Sequence, residues 1–186
     1  MSISPSPPCH LDASGWLSGA RHLPSPNCDA RPEGTAIELV VLHNISLPPG
    51  VFDGNAVIDL FTNRLDWDAH PYYAGIRGLE VSAHFFIRRD GSLIQFVPCT
   101  QRAWHAGASN WQGRERCNDF SIGIELEGTD DLPFTDAQYA TLLPLLNTLK
   151  AAYPIRAVVG HSDIAPGRKT DPGPHFAWQR LDAHTP

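Results

Sequence analysis

The chain has 186 residues, 42% of them hydrophobic, which suits one compact domain with its own core and is short for two. Charged residues make up 18%, and 14 Lys and Arg against 20 Asp and Glu leave a formal net charge of −6. That balance argues against broad attraction to nucleic acid or an anionic membrane, so an anionic ligand must meet a local basic cluster.

Residues 1–13, rich in Pro and Ser, read as a disordered tail, and 14–186 as the domain, which opens with an ordered surface lead-in anchored by Trp16 and Leu17. Residues 37–42 (IELVVL) form a short β-branched run that fits a strand buried on both faces, with His43 at its C-terminal end. Residues 53–65 suggest a helix, and 66–80 a long aromatic loop holding Trp67, His70, Tyr72 and Tyr73, the kind of segment that walls a binding site. Residues 82–88 and 93–97 flank Asp90-Gly91 and predict a β-hairpin.

In residues 120–127, Ile122, Ile124 and Leu126 alternate with Gly123, Glu125 and Glu127. At strand period both carboxylates then project from the face opposite the aliphatic side chains. Thr135-Asp136-Ala137-Gln138 is a capping box opening a helix over 135–152, with Tyr139, Leu142, Leu143, Leu146 and Leu149 at helical spacing. Pro144 inside it predicts a kink or two shorter helices. A last buried strand, 158–161, ends on His161; a loop and a short helix over 176–181 follow. Strands alternating with helices predict a single-domain, mixed α/β fold with a central mixed β-sheet flanked by α-helices.

No run approaches the roughly 18 apolar residues needed to span a bilayer. The opening MSISPSPPCHLDASG has neither a basic n-region nor an apolar h-region, which predicts a cytoplasmic protein. Cys9, Cys28, Cys99 and Cys117 lack paired spacing and read as free thiols in a reducing compartment.

If the strands ending on His43 and His161 are neighbours, both imidazoles emerge at one sheet edge. Asp171 follows ten residues after His161, held between Thr170 and Pro172-Gly173-Pro174. Two imidazoles and a carboxylate form a recurrent ligand set for catalytic Zn²⁺, with a fourth position left for water. The spacing is not diagnostic by itself: there is no HExxH, the chain has 9 histidines, and packed or hydrogen-bonded histidines are the commoner case.

Read together, VVLHNISLPPG (40–50), VSAHFFIRRDG (81–91), RAWHAGASNWQGRERCNDFSIGIELEGTD (102–130) and GHSDIAPGRKTDPGP (160–174) resemble the zinc-dependent N-acetylmuramoyl-L-alanine amidases. The likeness is nearest to their AmpD-type cytosolic branch, which acts on 1,6-anhydro-muropeptides in bacterial cell-wall recycling, and it runs from about residue 15 to residue 178. It implies the fold that family shares with peptidoglycan recognition proteins. It also implies one Zn²⁺ per chain on His43, His161 and Asp171, with Glu125 and Lys169 at the catalytic positions. A general base and an ammonium beside a zinc-bound water suit amide hydrolysis.

Glu127 shares a strand face with Glu125, and only the family position chooses between them. Asp163 reads as a turn residue or an acceptor orienting an imidazole, and His84 and His105 as structural, with His105 beside Trp104 at the groove. Tyr72 and Trp104 offer aromatic faces for a sugar; Asn44 and Arg116 are further substrate-contact candidates, the guanidinium suiting a peptide carboxylate. Against Arg116 stands the reading of Arg114 and Arg116 as surface arginines neutralised by Glu115 and Asp119. Glu80 departs from the basic residue of related loops, which weakens any peptide contact from that loop.

The implied partner is a small muropeptide, with no nucleic acid, membrane or obligate protein partner. The rivals are a phage-type or exported amidase, a non-catalytic peptidoglycan-binding module and a peptidase using Cys117 with a histidine. No GxSxG occurs to support a serine hydrolase.

Overall fold

The computed structural model describes residues 10–182, so Cys9 and most of the expected tail lie outside the described residues. From His10 the chain is already placed: Leu11 bridges Leu17, and the Asp12 carboxylate accepts the Ser14 and Trp16 N–H groups. In chain order come β1 (Arg21–His22), β2 (Cys28–Ala30), β3 (Leu39–Ile45), α1 (Ala56–Phe61), α2 (Pro71–Ala74), β4 (Phe85–Ile87) and β5 (Leu93–Gln95). Then follow β6 (Gln101–Ala103), β7 (Asn110–Trp111), β8 (Arg114–Glu115), β9 (Ser121–Glu127), α3 (Asp136–Ala152), β10 (Ala157–Gly160), α4 (His161–Ile164) and α5 (Gln179–Asp182).

Six strands form the central sheet in the order β1-β5-β4-β9-β3-β10. All neighbours are parallel except the β4–β5 hairpin, which makes the sheet mixed, as predicted. The alternation along β9 sorts the two faces. Ile122, Ile124 and Leu126 join Val40, Leu42, Phe85 and the α3 side chains Leu142, Leu145, Leu146 and Leu149 in one buried cluster. Truncating such a leucine to alanine costs about 2–5 kcal/mol. Glu125 and Glu127 lie on the opposite face, as expected from strand period.

Several elements differ from the sequence reading. The expected helix over 53–65 is shortened to α1, because Asp53 (φ 65°) and Asn63 (φ 55°) are left-handed and stop it on both sides. The long loop contains α2, where the His70 ring accepts the Tyr72 N–H and Pro71 sits in the first turn. Helix α3 runs unbroken through Pro144 rather than as two helices. Pro144 and Ala140 both face solvent, so the carbonyl deprived of its partner can reach water. In the hairpin turn only Gly91 has positive φ (84°), and Asp90 instead accepts the Ser92 N–H. Strand β3 extends two residues beyond His43, and His161 opens α4 rather than closing β10.

Arg31 ties the lead-in to the sheet by donating to the carbonyls of Cys99, Asn118, Asp119 and Ser121. Its guanidinium also abuts His84, whose Nδ1 accepts the Gly123 N–H while Nε2 faces Gln101 O at 3.0 Å. Burial first, then the Arg31 charge, pushes the His84 imidazole down to about 3. An unfolded histidine titrates near 6.5. The unfolded chain therefore binds the extra proton between these values, and the stability His84 contributes at neutral pH is lost as pH falls from about 6.5 towards 3. The slope is about 1.4 kcal/mol per pH unit. Urea unfolding followed from about pH 7 to about pH 4 should show it. His84→Asn, which keeps an acceptor for Gly123, should flatten the curve by that amount; equal slopes in both proteins would contradict the assignment.

Candidate active site

The parallel register of β3, β9 and β10 assembles the site. His43 pairs directly with Glu125, and Leu42 with Gly160, so His161 follows at the level of His43. Paired residues on adjacent strands share a face, which puts His43 and Glu125 together on the face away from α3. The loop after α4 delivers Asp171. Its carbonyl accepts the Ser162 N–H at 3.0 Å, and the neighbouring Pro172 carbonyl accepts from Asn44 Nδ2 at 3.1 Å.

Three donor atoms converge. His43 Nδ1 lies 3.0 Å from His161 Nδ1 and 2.9 Å from Asp171 Oδ2, and His161 Nδ1 lies 3.1 Å from Asp171 Oδ2. A tetrahedral zinc with ligand bonds of about 2.0–2.1 Å separates its ligands by roughly 3.3 Å. The donor set and the size of this triangle therefore fit such an ion. The far nitrogens are also held: His161 Nε2 faces Ala106 O at 3.0 Å and His43 Nε2 faces His105 Nδ1 at 3.0 Å. Outer partners of this kind orient metal-binding imidazoles.

The electrostatics of the site are those of buried groups in contact. Burial lowers His43 to about 4, against the opposing pull of Asp171. Burial alone would raise the Asp171 carboxyl, but hydrogen bonds from His161 and His43 hold it below the usual carboxylate range. Glu125, only 8% exposed, is driven well above that range by burial and by the Asp171 charge, with Lys169 opposing. Among the described residues, Glu125 Oε2 is the one buried side-chain polar atom without a hydrogen-bond partner. Such a group costs about 1–3 kcal/mol, and it shares a cleft with the donor triangle.

These groups line a cleft of about 650 Å³ with Lys169, Asn44, Tyr72 and Trp104. Tyr72 is 44% exposed and shares an apolar wall with Ile76, Leu79 and Val81. Glu127 is excluded from the cleft chemistry: its two oxygens accept the Asp53 and Arg89 N–H groups, and Arg88 lies beside it. Asn44 spends its amide on Asp130 and Pro172, holding the ligand loop.

The structure corrects one expectation, for Arg116, and chooses between the two alternatives for Asp163. Arg116 is not among the residues lining the cleft; its side chain is 70% exposed and pairs with Asp119 at 3.2 Å, while Arg114 pairs with Glu38 rather than Glu115. A left-handed backbone at Arg116 (φ 60°) accompanies this placement. Asp163 accepts the Gly160 N–H at 2.7 Å and so serves the turn, not an imidazole. The cations lining the cleft are Lys169 and Arg168, and sequence reading missed the latter. The Arg168 guanidinium donates to the Ala106 and Ala108 carbonyls. Glu80 is exposed and lies outside the cleft lining. Cys117 is fully buried in an apolar cluster, and burial raises its thiol pKa, which removes the basis for a cysteine nucleophile.

Comparison with known proteins agrees with this geometry. A family model described as N-acetylmuramoyl-L-alanine amidase matches residues 33–174. The chain is 59% identical over 175 residues to the 1,6-anhydro-N-acetylmuramyl-L-alanine amidase AmpD of Salmonella typhimurium (strain SL1344), covering 93% of this chain and 94% of the relative. A crystal structure of a selenomethionine AmpD derivative superposes with a TM-score of 0.91 at 58% identity, over 95% of this chain and 99% of that one. Escherichia coli AmiD, solved with the substrate anhydro-N-acetylmuramic acid-L-Ala-D-gamma-Glu-L-Lys, matches with a TM-score of 0.59 at 30% identity, over 95% of this chain and 65% of that one. The chain belongs to the N-acetylmuramoyl-L-alanine amidase family and is an enzyme of that class.

Proposed function

We propose that the protein is a zinc-dependent amidase that cleaves the bond between the lactyl group of 1,6-anhydro-N-acetylmuramic acid and L-alanine, acting in the cytosol on recycled wall fragments. The observation that carries this reading is the His43, His161 and Asp171 donor triangle sharing a cleft with the unpartnered Glu125 carboxyl. The anhydro sugar is supported by the likeness to AmpD and to substrate-bound AmiD. Among the described residues no helix is long and apolar enough to cross a membrane.

Bound on His43 Nδ1, His161 Nδ1 and Asp171 Oδ2, zinc would polarise the scissile carbonyl and lower the pKa of a water to about 7. Glu125 takes the proton from the attacking water at Oε2 and returns it to the L-alanine nitrogen as the C–N bond breaks. The products are a lactyl carboxylic acid and a free peptide amine. The Lys169 ammonium faces the negative charge that develops on the carbonyl oxygen, in a cleft where such charge is poorly screened. Tyr72 and Trp104 hold the apolar face of the sugar, and Arg168 adds positive charge to the lining of the cleft. Burial and the Asp171 charge raise the proton affinity of Glu125, which suits a group that must hold a proton between the attacking water and the leaving amine.

His43→Ala and Asp171→Ala should lose zinc and activity together, because two ligands hold the ion poorly; full zinc occupancy in both would remove the ligand assignment. Glu125→Ala should keep zinc and fold while slowing turnover by about 10²–10⁴-fold. If Glu127→Ala did so instead, with Glu125→Ala near wild type, the base would be misassigned.

The functional test is incubation with defined muropeptides and identification of the products by mass spectrometry. Release of L-alanine-headed peptides should be far faster from 1,6-anhydro-muropeptides than from intact sacculi. Shape and apolar contacts discriminate by only about 1–3 kcal/mol per feature, so several cleft residues must act together. Comparable initial rates on anhydro-muropeptides, reducing-end muropeptides and sacculi would defeat the recycling reading and leave the amidase assignment standing.

A further inference from the structure

His105 lies outside the donor triangle yet touches it. Its Nδ1 is 3.0 Å from His43 Nε2, its Nε2 is 3.1 Å from Ser121 Oγ, and its ring meets that of His43 edge-on at 5.1 Å. The ring fits only because residue 123 is glycine: a Cβ there would come within 2.4 Å of His105 Cγ. Gly123 has no positive φ, so what its lack of a side chain supplies is room for the imidazole. Both sides of this arrangement are held. The His105 N–H donates to Asn118 Oδ1 at 3.1 Å, and at Gly123 the N–H donates to His84 Nδ1 while the carbonyl accepts the His84 N–H, both at 3.0 Å.

A neutral imidazole carries one donor and one acceptor. His43 can present the Nδ1 lone pair to a cation only if its proton is on Nε2. That proton then points at His105 Nδ1, which must accept, so the His105 proton sits on Nε2 and is directed at Ser121 Oγ. The reverse polarity places a proton on His43 Nδ1, between Asp171 and His161, and blocks ligation. His161 has a simpler arrangement, because its Nε2 faces the Ala106 carbonyl, which can only accept.

We propose that His105, seated over Gly123 and anchored on Ser121, is a positioning residue that keeps the His43 proton on Nε2 and so aims the Nδ1 lone pair into the ligand triangle. The proposal rests on the zinc reading above and extends it to residues outside the ligand triangle. Outer partners of ligating histidines typically change metal affinity by about 10- to 100-fold.

The test is zinc affinity of the metal-stripped full chain, measured by competition with a chromophoric chelator, together with the visible spectrum after cobalt substitution. His105→Phe keeps a ring over Gly123 and removes the acceptor. It should weaken zinc binding about 10- to 100-fold and alter the cobalt spectrum. His105→Asn restores an acceptor near the Nδ1 position and should recover most of the affinity. Ser121→Ala removes only the anchor and should weaken zinc by about 10-fold, the lower end of that range; it carries the test if His105→Phe does not fold. A folded His105→Phe that binds zinc as tightly as wild type, with an unchanged cobalt spectrum, overturns the proposal. So does Ser121→Ala with unchanged affinity where His105→Phe is unfolded. A wild-type chain that binds no zinc would instead overturn the ligand reading, so the two failures are distinguishable.

Discussion

The parallel ladder between β3 and β9 is the constraint on which the site depends, because side-chain direction in a strand reverses with every residue. The pairing of His43 with Glu125 places a ligand and an acid/base on one face at one level. A slip of one residue would put Asn44 or Leu42 opposite Glu125 and send the imidazole into the α3 side of the core. Apolar packing on that side guards the register. Val40, Leu42, Ile122, Ile124 and Leu126 are all fully buried against α3, and a slip of β9 would exchange its three aliphatic side chains for Ser121, Gly123, Glu125 and Glu127. The core thus aligns the chemistry without contributing an atom to it.

The site face carries the electrostatic consequences. Asp171, on the loop after α4, stays ionised through its two imidazole partners, while Glu125, on β9 and without such partners, is pushed towards its neutral form. Two carboxyls in one cleft acquire different protonation preferences from different neighbours, a pattern suited to one acting as ligand and the other as proton carrier. The unpartnered Glu125 oxygen and the crowded imidazoles are unfavourable in isolation. A divalent cation within the triangle would offset both, because its charge favours the ionised carboxylate and the neutral imidazoles together.

Much of this was legible from residues alone. The alternation of residues 120–127 predicted both faces of β9, and the capping box predicted the start of α3. Both histidines read as strand-end residues; β3 continues past His43 and His161 opens α4, but the convergence inferred from neighbouring strands holds. The choice of Glu125 over Glu127 was not legible from periodicity, since it depends on Glu127 being engaged by the Asp53 and Arg89 backbone. Arg116 failed for a related reason: a loop arginine shows its charge in sequence but not its direction, and here it faces Asp119. The link through His105 was foreshadowed only by a glycine in the middle of a buried strand, which signals close approach without naming what approaches. The two-residue strands β1, β7 and β8 have too few residues for any periodicity to register.

The strand register brings His43 Nδ1, His161 Nδ1 and Asp171 Oδ2 into one triangle sized for a single cation. Crystals of the zinc-loaded protein, measured at the zinc absorption edge, test this assignment most directly. One anomalous peak per chain is expected at about 2.0–2.2 Å from those three atoms, with the Glu125 carboxyl beside the ion but not bound to it. A peak bonded to Glu125, to His43 through Nε2, or to His105 would contradict the assignment.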